Sequence, residues 1–486
     1  MSAMTATPYR SYVDGRPTEA NGAPTFEVFD PATGDVVAQV AGARSTDVDV
    51  AVAAARNALA AWRRTPTTKR AELLRTAAAH ILEQRDHLAE LLTREQGKPL
   101  AEAGKEIEEA ANDFRYFAGE AERLAGEIAP RSTPGTHSLV YREPLGVVAA
   151  IATWNYPVSL LSRKIAPALA AGCTVVAKPD PSTPLAALEM IRLVASAGLP
   201  PGVLNALVGE ADEIGAALVA HPGVAKIAFT GSTRVGSEIM RAAANDIKRL
   251  TLELSGHSPM IVWHDADFSQ AVKDGVKRAF RNAGQICNSV ERYYIHEDIY
   301  EAYVEAFARE TQGLVVGNGL KPEVEIGPLT HSSGLERSEQ HVQDAVERGA
   351  RVLAGGQRLS GDGYDGGNFF APTVLRDVRH GMAVMDAETF GPVAPLMRVG
   401  GDLGDVIGLA NELPYGLVSY VYTQSLRHAF EAIERIEAGS VGINTVSAAS
   451  IHAPYGGIKR SGYGIEYSPH AIDEYTYFKH AVVNFA

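Results

Sequence analysis

The stretch VVAAIA at residues 147–152 is a run of six apolar residues that follows Gly146 and precedes a polar segment. Its length suits a buried strand and is far below the roughly 18 residues that a membrane span needs. Residues 159–171 have the apolar spacing of a helix, and CTVVA at 173–177 is a second short apolar run. Apolar strands separated by a helix predict a parallel sheet that is covered on both faces.

The same alternation continues along the chain on both sides of this stretch. Further strands are predicted at 203–208, 224–229, 260–263 and 293–296, and helices at 48–62, 69–92, 184–197, 213–220, 233–244, 268–284 and 299–314. The alternation restarts at Ser258 and runs to about Val441. The sequence therefore predicts an α/β fold with two parallel-sheet domains, and the cleft between them is the default location of a site.

Composition excludes several classes of protein. The 486 residues are 46% hydrophobic and carry a formal net charge of -13, which is ordinary for a globular chain and disfavours a nucleic-acid partner. No apolar leader or membrane-length run is present. The two cysteines, Cys173 and Cys287, lie far apart without metal-ligand spacing. These features predict reduced thiols in a cytoplasmic protein with no metal site and no membrane partner.

Cys287 lies in the segment GQICN, residues 284–288, directly after a predicted helix. An isolated free cysteine is more often a small buried apolar residue than a nucleophile. Cys173 keeps that interpretation, because it lies in an apolar strand without an activating group beside it. Cys287 becomes a candidate nucleophile only together with other motifs.

Three further segments favour a binding or catalytic role without establishing it. FTGSTRVG at 229–236 opens a helix after a strand, where backbone N–H groups and the helix dipole favour an anion, although an ordinary capped turn has the same pattern. Glu253 ends an apolar strand, where burial would raise its pKa toward that of a base, unless water solvates it. Lys178 ends another strand and either contacts a ribose or phosphate or is solvated.

Seven motifs in order make the pattern specific. They are WNYP (154–157), KP (178–179), FTGS (229–232), LEL (252–254), GQIC (284–287), ETFGPV (388–393) and PYGG (454–457). Their order resembles the aldehyde dehydrogenase superfamily from about residue 25 to 480. The resemblance implies a Rossmann-like cofactor-binding domain (1–122 and 146–255), a catalytic domain (256–469) and a small β oligomerisation arm (123–145 and 470–486). Such an arm implies a homodimer or homotetramer.

The resemblance also implies catalytic roles for four residues. The Cys287 thiolate would attack the aldehyde, and the Asn155 amide and the Cys287 backbone N–H would stabilise the resulting oxyanion. Glu253 would activate water to hydrolyse the thioester, which argues against a CoA-acylating enzyme. Glu466 matches a second glutamate that would relay protons, but it could equally be a surface charge.

NAD or NADP is the cofactor that the resemblance implies. Lys178 would contact the adenosine ribose, Gly231 and Ser232 the pyrophosphate, and Glu388 the nicotinamide ribose. Further cofactor contacts are expected at Trp154, Leu254 and Phe390. Many NAD-preferring members read Lys-Pro-Ser-Glu, and here Pro181 replaces the glutamate that binds the ribose 2′-OH. Proline neither binds that hydroxyl nor repels a 2′-phosphate, whereas the neighbouring Asp180 would disfavour the phosphate, so the choice of cofactor stays open.

Two arginines indicate the class of substrate. Arg163 lies eight residues after Asn155, and Arg281 lies six before Cys287. The pair resembles the succinate-semialdehyde dehydrogenase branch, where such arginines bind the carboxylate of the substrate, as bidentate guanidinium geometry favours.

Other residues and other interpretations accompany this pair. Ser450 aligns roughly with a serine that assists the two arginines in that branch, and Tyr455 is expected at the substrate. The alternatives are two structural salt bridges in a dehydrogenase for neutral aromatic or aliphatic aldehydes, or a non-catalytic member of the family. Ser289 occupies the position where some semialdehyde dehydrogenases carry a second cysteine, so no disulfide switch is expected.

Overall fold

The computed structural model describes residues 8–18, 25–131 and 133–484. The parts of the predicted domains that fall on residues 1–7, 19–24, 132 and 485–486 lie outside the described residues. The strands are β1 (Tyr12–Val13), β2 (Arg16–Pro17), β3 (Thr25–Phe29), β4 (Val36–Ala41), β5 (Glu127–Ala129), β6 (Thr136–Pro144), β7 (Val147–Ile151), β8 (Thr174–Lys178), β9 (Leu204–Ala206), β10 (Val224–Thr230), β11 (Arg249–Glu253), β12 (Ser258–Val262), β13 (Val290–His296), β14 (Arg351–Ala354), β15 (Thr373–Arg376), β16 (Val393–Val399), β17 (Tyr415–Gly416), β18 (Val418–Tyr422), β19 (Ser440–Ile443), β20 (Ile458–Lys459), β21 (Gly462–Tyr463) and β22 (Thr476–Asn484).

The α-helices are α1 (Ser45–Trp62), α2 (Thr67–Glu83), α3 (Arg85–Gln96), α4 (Leu100–Arg123), α5 (Pro157–Ala171), α6 (Leu185–Ser196), α7 (Ala211–Ala220), α8 (Thr233–Ala243), α9 (Phe268–Phe280), α10 (Tyr300–Gln312), α11 (Ser332–Glu347), α12 (Ala383–Asp386), α13 (Leu403–Asn411) and α14 (Leu426–Arg435). Short 3-10 turns span Ala244–Asp246, Arg281–Gly284 and Pro469–Tyr475. Within the described residues, no helix has the length and apolar character that crossing a membrane requires.

The first large sheet has the strand order β2-β1-β9-β8-β7-β10-β11-β21, and its five central strands, β9 to β11 in that order, are parallel. Every residue of β7 is buried. Val148 and Ala150 pack into one hydrophobic core, whereas Val147, Ala149 and Ile151 pack into another. Because side chains alternate across a strand, an unbroken apolar run serves two cores at once. The predicted sheet covered on both faces is confirmed.

The second large sheet has the order β14-β15-β16-β13-β12-β18-β19, with every pair parallel except β14 and β15. It carries its own hydrophobic core, and β13 is buried along its whole length. The predicted α/β class with two parallel sheets is therefore confirmed. The domain boundaries stay a prediction, and β21, inside the range assigned to the catalytic domain, pairs with β11 of the first sheet.

A separate three-stranded antiparallel sheet contains β5, β6 and β22. It is built from the two segments predicted to form an arm. Ile128 and Phe478 are 79% and 62% exposed on it, and Val482 is also exposed. Such a sheet leaves apolar surface uncovered within one copy of the chain.

Two predicted helices have different ends in the structure. The segment 69–92 is divided between α2 and α3 at Gln84, whose φ/ψ of -105°/15° is not helical. The helix predicted at 268–284 ends at Phe280, because Asn282 and Ala283 have left-handed φ values of 50° and 55°. A Cβ on the adjacent Gly284 would lie 2.1 Å from the Gly391 carbonyl oxygen, so this turn accepts no larger residue there.

Candidate active site

A cavity of about 1010 Å³ opens between the two large sheets. The segment after β7, the N-terminal turns of α5 and the facing sides of α7 and α8 line it from the first sheet. The end of α9, the turn that follows it and residues 446–449 line it from the second. Polar groups that follow the carboxyl ends of parallel strands therefore meet in one cleft, as is typical of open α/β sheets.

Cys287 lies in the turn between α9 and β13 and lines the cavity. Its Sγ is 4.0 Å from the Tyr455 Oη. Burial, together with the neighbouring Glu253 carboxylate, raises the pKa of Cys287 to about 11. A Cβ on Gly256 would lie 2.2 Å from the Cys287 carbonyl oxygen, so a glycine there lets the two segments approach. The thiol is thus held in a fixed turn at the cavity wall.

Asn155 lies just before α5 and is 4% exposed. Its Nδ2 donates to the Gln285 carbonyl at 2.9 Å, two residues before Cys287. The amide carries two N–H groups, so this bond uses one and leaves the second for a ligand. The Lys98 ammonium donates to the Asn155 carbonyl at 2.8 Å and is paired with Glu106 at 2.5 Å, both side chains being fully buried.

Glu106 completes this support for Asn155. Its second oxygen accepts the backbone N–H groups of Val158 and Ser159 at 3.0 and 3.1 Å, which are orphan donors at the start of α5. The pair of Lys98 and Glu106 therefore ties the segment around α3 and α4 to both sides of the Asn155 turn.

Glu253 is the last residue of β11 and is buried, with both carboxylate oxygens unpartnered within the described residues. Burial first, and the Glu466 carboxylate second, raise the pKa of Glu253 well above its ordinary value. Glu466 is buried as well, and the Lys164 ammonium donates to it at 2.5 Å and to the Thr230 hydroxyl at 2.6 Å. The alternative of a surface charge for Glu466 is therefore wrong.

The slot between α7 and α8 is lined mainly by small and apolar residues, among them Gly215, Ala216 and Val235. Lys178 lines the adjacent wall, and the hydrogen bond that its buried ammonium makes among the described residues is long, 3.5 Å, to the Pro179 carbonyl. The apolar slot suits the flat base of a nucleoside, and the Lys178 ammonium, which keeps donors for a ligand, suits its ribose hydroxyls. Burial lowers the pKa of Lys178 despite the neighbouring Asp180.

Gly231 and Ser232 line the cavity where α8 begins. A Cβ on Gly231 would meet the Phe229 ring at 2.3 Å, so a larger residue there would have to displace this ring. The Gly231 N–H donates to the Glu253 carbonyl at 3.0 Å, which corrects the expectation that it points at an anion. Ser232 caps α8 by accepting the Val235 N–H at 3.3 Å, and its own hydroxyl proton stays available.

Trp154, Leu254, Glu388 and Phe390 line the cavity near Cys287. The Trp154 and Phe390 rings meet edge to face at 5.5 Å. Burial raises the pKa of Glu388 to about 7, and the Gly256 N–H donates to it at 3.4 Å. Within the described residues, no group of His, Cys, Asp or Glu is arranged to hold a metal ion.

Comparison with known proteins identifies the family that carries this arrangement. The model described as "Aldehyde dehydrogenase family" matches residues 18–481. The chain belongs to the aldehyde dehydrogenase family. The resemblance seen in the ordered motifs is thereby confirmed.

Several relatives of this aldehyde dehydrogenase are similar over nearly their whole length. A 3-sulfolactaldehyde dehydrogenase of Pseudomonas putida is 42% identical, covering 97% of this chain and 96% of the relative. A succinate-semialdehyde dehydrogenase of Escherichia coli, whose name specifies NADP(+), is 41% identical over 98% and 97% of the two chains. The crystal structure of succinate-semialdehyde dehydrogenase from Burkholderia pseudomallei superposes with a TM-score of 0.95 at 40% identity, covering 99% of this chain and all of the other.

In this aldehyde dehydrogenase, Arg163 and Arg281 line the same cavity as Cys287. The Arg163 guanidinium is 3.9 Å from the Glu109 carboxylate and lies over the Tyr467 ring at 4.7 Å. Its Nε is buried and has no hydrogen-bond partner in the part of the chain that the structure describes. The Arg281 guanidinium is 3.8 Å from the Glu102 carboxylate. Both ion pairs are longer than a hydrogen bond, so each guanidinium keeps donors for a ligand.

Four predicted site residues of this aldehyde dehydrogenase lie outside the cavity wall: the buried carboxylates Glu253 and Glu466, and also Ser450 and Pro181. Ser450 is exposed and is not part of the wall, which the preceding residues 446–449 form instead. Pro181 is not part of it either, whereas Asp180 is. A side chain in an irregular loop has no periodicity that fixes its direction, so the sequence placed these residues only to within a few positions.

Arg278 and Asn288 also line the cavity of this aldehyde dehydrogenase, and the sequence analysis missed both. Arg278 is three residues before Arg281, and this spacing on a helix was the available signal. Asn288 directly follows the cysteine, but no general rule assigns a role to that position.

Proposed function

We propose that this aldehyde dehydrogenase oxidises aldehydes whose far end carries an anion, with succinic semialdehyde as the representative, to the acid with NAD or NADP. The observation that supports it is that the guanidinium groups of Arg163 and Arg281, two of the four arginines of the cavity wall, share the cavity with the Cys287 thiol. Neither Arg163 nor Arg281 is within hydrogen-bond distance of its glutamate. Structural salt bridges would instead bring these charges into hydrogen-bonded contact.

The first step is attack of the Cys287 sulfur on the aldehyde carbon. The thiolate is the reactive form, and because its pKa is raised to about 11, attack should become faster as pH rises from neutral. The new C–S bond places a negative charge on the former carbonyl oxygen. The free N–H of the Asn155 amide and the Cys287 backbone N–H donate to it, and one such donor contributes about 2.7–4 kcal/mol.

The chemistry that a bound nicotinamide dinucleotide supplies is acceptance of a hydride, and NAD and NADP supply it equally. The chain then holds the acyl group as a thioester on Cys287. Glu253 accepts a proton from water, the resulting hydroxide attacks the thioester carbon, and the C–S bond breaks to release the acid and the thiolate. The two carboxylate oxygens of Glu253, which have no partner among the described residues, suit this role. Lys164 holds Glu466 beside Glu253, where that second carboxylate receives the proton in turn.

The charge around the adenosine end of the cavity supports a preference for NAD. Asp180, Asp212 and Glu238 line this end with Lys178, and a 2′-phosphate would add negative charge to an acidic wall. We expect kcat/KM to be about tenfold or more higher with NAD than with NADP. Steady-state rates with each cofactor at a fixed aldehyde concentration measure the ratio.

Asp180→Ser should lower the ratio of kcat/KM with NAD to kcat/KM with NADP several-fold, because it removes the carboxylate next to Pro181. The matched control is Asp362→Ser, an exposed aspartate outside the cavity wall, which should leave the ratio unchanged. A wild-type enzyme that prefers NADP would contradict the cofactor preference without affecting the family or the chemistry.

The substrate proposal predicts a selective loss when either arginine is neutralised. Arg281→Gln or Arg163→Gln should lower kcat/KM for succinic semialdehyde by about 100-fold, because a charge-assisted bidentate contact contributes about 1.5–3 kcal/mol. The value for hexanal should change by less than about threefold in Arg281→Gln. It should fall further in Arg163→Gln, because the Arg163 guanidinium also lowers the pKa of the Cys287 thiol. Steady-state kinetics on both aldehydes measure the two effects.

Arg358→Gln is the control, since Arg358 pairs with Glu339 at the surface and lies outside the cavity wall. An equal loss on both aldehydes in Arg281→Gln would mean that this arginine supports the fold rather than the substrate. If the wild-type enzyme prefers hexanal or benzaldehyde, the dehydrogenase for neutral aldehydes is the correct alternative.

The assembly and the compartment follow as further proposals. The exposed apolar residues of the three-stranded sheet, Ile128, Phe478 and Val482, favour a homodimer or homotetramer that covers them. Both cysteines are free thiols, which favours a cytoplasmic enzyme.

A further inference from the structure

A second set of hydrogen bonds reaches the Cys287 sulfur from α9, from the turn before β13 and from β18, and the proposed mechanism does not use it. The Arg278 guanidinium donates through Nε to the Asn288 carbonyl at 3.0 Å and through a terminal nitrogen to the Asn288 Oδ1. The Asn288 Nδ2 donates to the Tyr455 Oη at 3.2 Å, and that Oη lies 4.0 Å from the Cys287 Sγ. Tyr420 donates to the same Asn288 carbonyl at 2.9 Å.

These contacts fix which way the Asn288 amide faces. A guanidinium has donors and no acceptor, so the Asn288 oxygen must face Arg278 and the amide nitrogen must face Tyr455. The Tyr455 oxygen therefore accepts a hydrogen bond from Asn288 and still carries its own proton. Among the described residues, the remaining polar contact of that hydroxyl is the Cys287 sulfur.

We propose that Tyr455 donates a hydrogen bond to the Cys287 sulfur, and that Arg278 and Asn288 are positioning residues that fix the direction of this donor. The inference rests on the proposed function, because it requires Cys287 to react as a thiolate. A donor at the sulfur stabilises the thiolate both before attack and when the thioester breaks.

Burial supports this assignment from both sides of the contact. It raises the pKa of the Tyr455 phenol well above its ordinary value, so the phenol keeps its proton throughout the working range. Burial and Glu253 raise the pKa of Cys287, while the Tyr455 hydrogen bond and the Arg163 guanidinium lower it. Tyr455 is thus one of two groups that offset the cost of a buried negative sulfur.

The test is the rate at which iodoacetamide alkylates Cys287 as a function of pH, in the full-length enzyme without aldehyde. Mass spectrometry of the Cys287 peptide follows the reaction directly. Tyr455→Phe keeps the ring and removes the proton, so alkylation should be about tenfold slower at pH 7.5 and the pH profile should move upward. Arg278→Met should also slow alkylation, because Asn288 can then rotate and no longer fixes the direction of the Tyr455 hydroxyl. The effect should be smaller than in Tyr455→Phe, because Tyr455 keeps its hydroxyl.

Tyr303→Phe is the matched control, since Tyr303 is a fully buried phenol that donates to the Ala271 carbonyl at 3.1 Å. In this variant, iodoacetamide should alkylate Cys287 at the wild-type rate. If Cys287 of Tyr455→Phe were alkylated at the wild-type rate over the whole pH range, the proposal would be overturned. This holds even if aldehyde turnover fell, because the phenol would then act on the substrate. Loss of turnover in a Cys287 variant tests the proposed function separately.

Discussion

Cys287→Ala is expected to abolish aldehyde oxidation, lowering kcat by about 10⁴-fold or more, because no other nucleophile can form the covalent intermediate. Within the described residues, Cys173 is the other thiol, and it is fully buried in the first sheet. Its Sγ contacts the Tyr475 carbonyl at 3.2 Å, and burial raises its pKa to about 11. It does not line the cavity.

The measurement is NADH formation with succinic semialdehyde, with binding of NAD to the variant as a check that the cavity is intact. Cys173→Ala is the matched control and should keep nearly the wild-type rate, apart from a modest loss of stability from the deleted buried sulfur. A Cys287→Ala variant with more than about 1% of wild-type turnover would show that the chemistry does not pass through this thiol.

Glu253→Gln is expected to separate the two halves of the reaction. Removal of the base should slow thioester hydrolysis by about 10²–10⁴-fold. Attack by Cys287 should not slow, because the substitution also removes a carboxylate that raises the pKa of the thiol. The variant should therefore release one equivalent of NADH per active site in a burst and then turn over slowly.

Rapid-mixing absorbance at the NADH band measures the burst, and mass spectrometry should find the acyl group on Cys287. In the wild-type enzyme, the hydrolytic step should become faster as pH rises through the elevated pKa of Glu253, because the ionised form is the base. The variant should lose this dependence. Glu120→Gln, which alters a buried glutamate that pairs with Arg123 away from the cavity, should behave as wild type. Absence of the burst would assign Glu253 to an earlier step.

The sequence predicted the sheets because their strands are buried on both faces. The run at 147–152 has no polar residue, and such a run fits few environments other than the centre of a covered sheet. Helix ends were less predictable. Nothing in the composition of residues 281–284 excludes a helix, and the left-handed turn at Asn282 and Ala283 follows from the close approach of Gly284 to Gly391.

The residues of the candidate site also fall into two groups, those that were predicted from the sequence and those that were misplaced or missed. Asn155, Cys287, Arg163 and Arg281 were found through the family resemblance that the ordered motifs carry, and the structure brings all four to one cavity. Ser450 was misplaced because its loop has no regular geometry. Arg278 was missed because its importance depends on Asn288 and Tyr455, which only the tertiary structure brings together.

The buried pair of Lys98 and Glu106 has a consequence for how sequence variants of this enzyme should be read. Neither residue lines the cavity: Lys98 lies in the turn between α3 and α4, and Glu106 lies on α4. Even so, their bonds fix the backbone on either side of Asn155, whose side-chain amide is proposed to bind the oxyanion. A score that ranks positions by their distance from the substrate would predict that substitutions of either residue leave activity unchanged. Natural exchanges at either position should therefore occur in pairs, and single exchanges should appear as catalytic defects in otherwise folded protein.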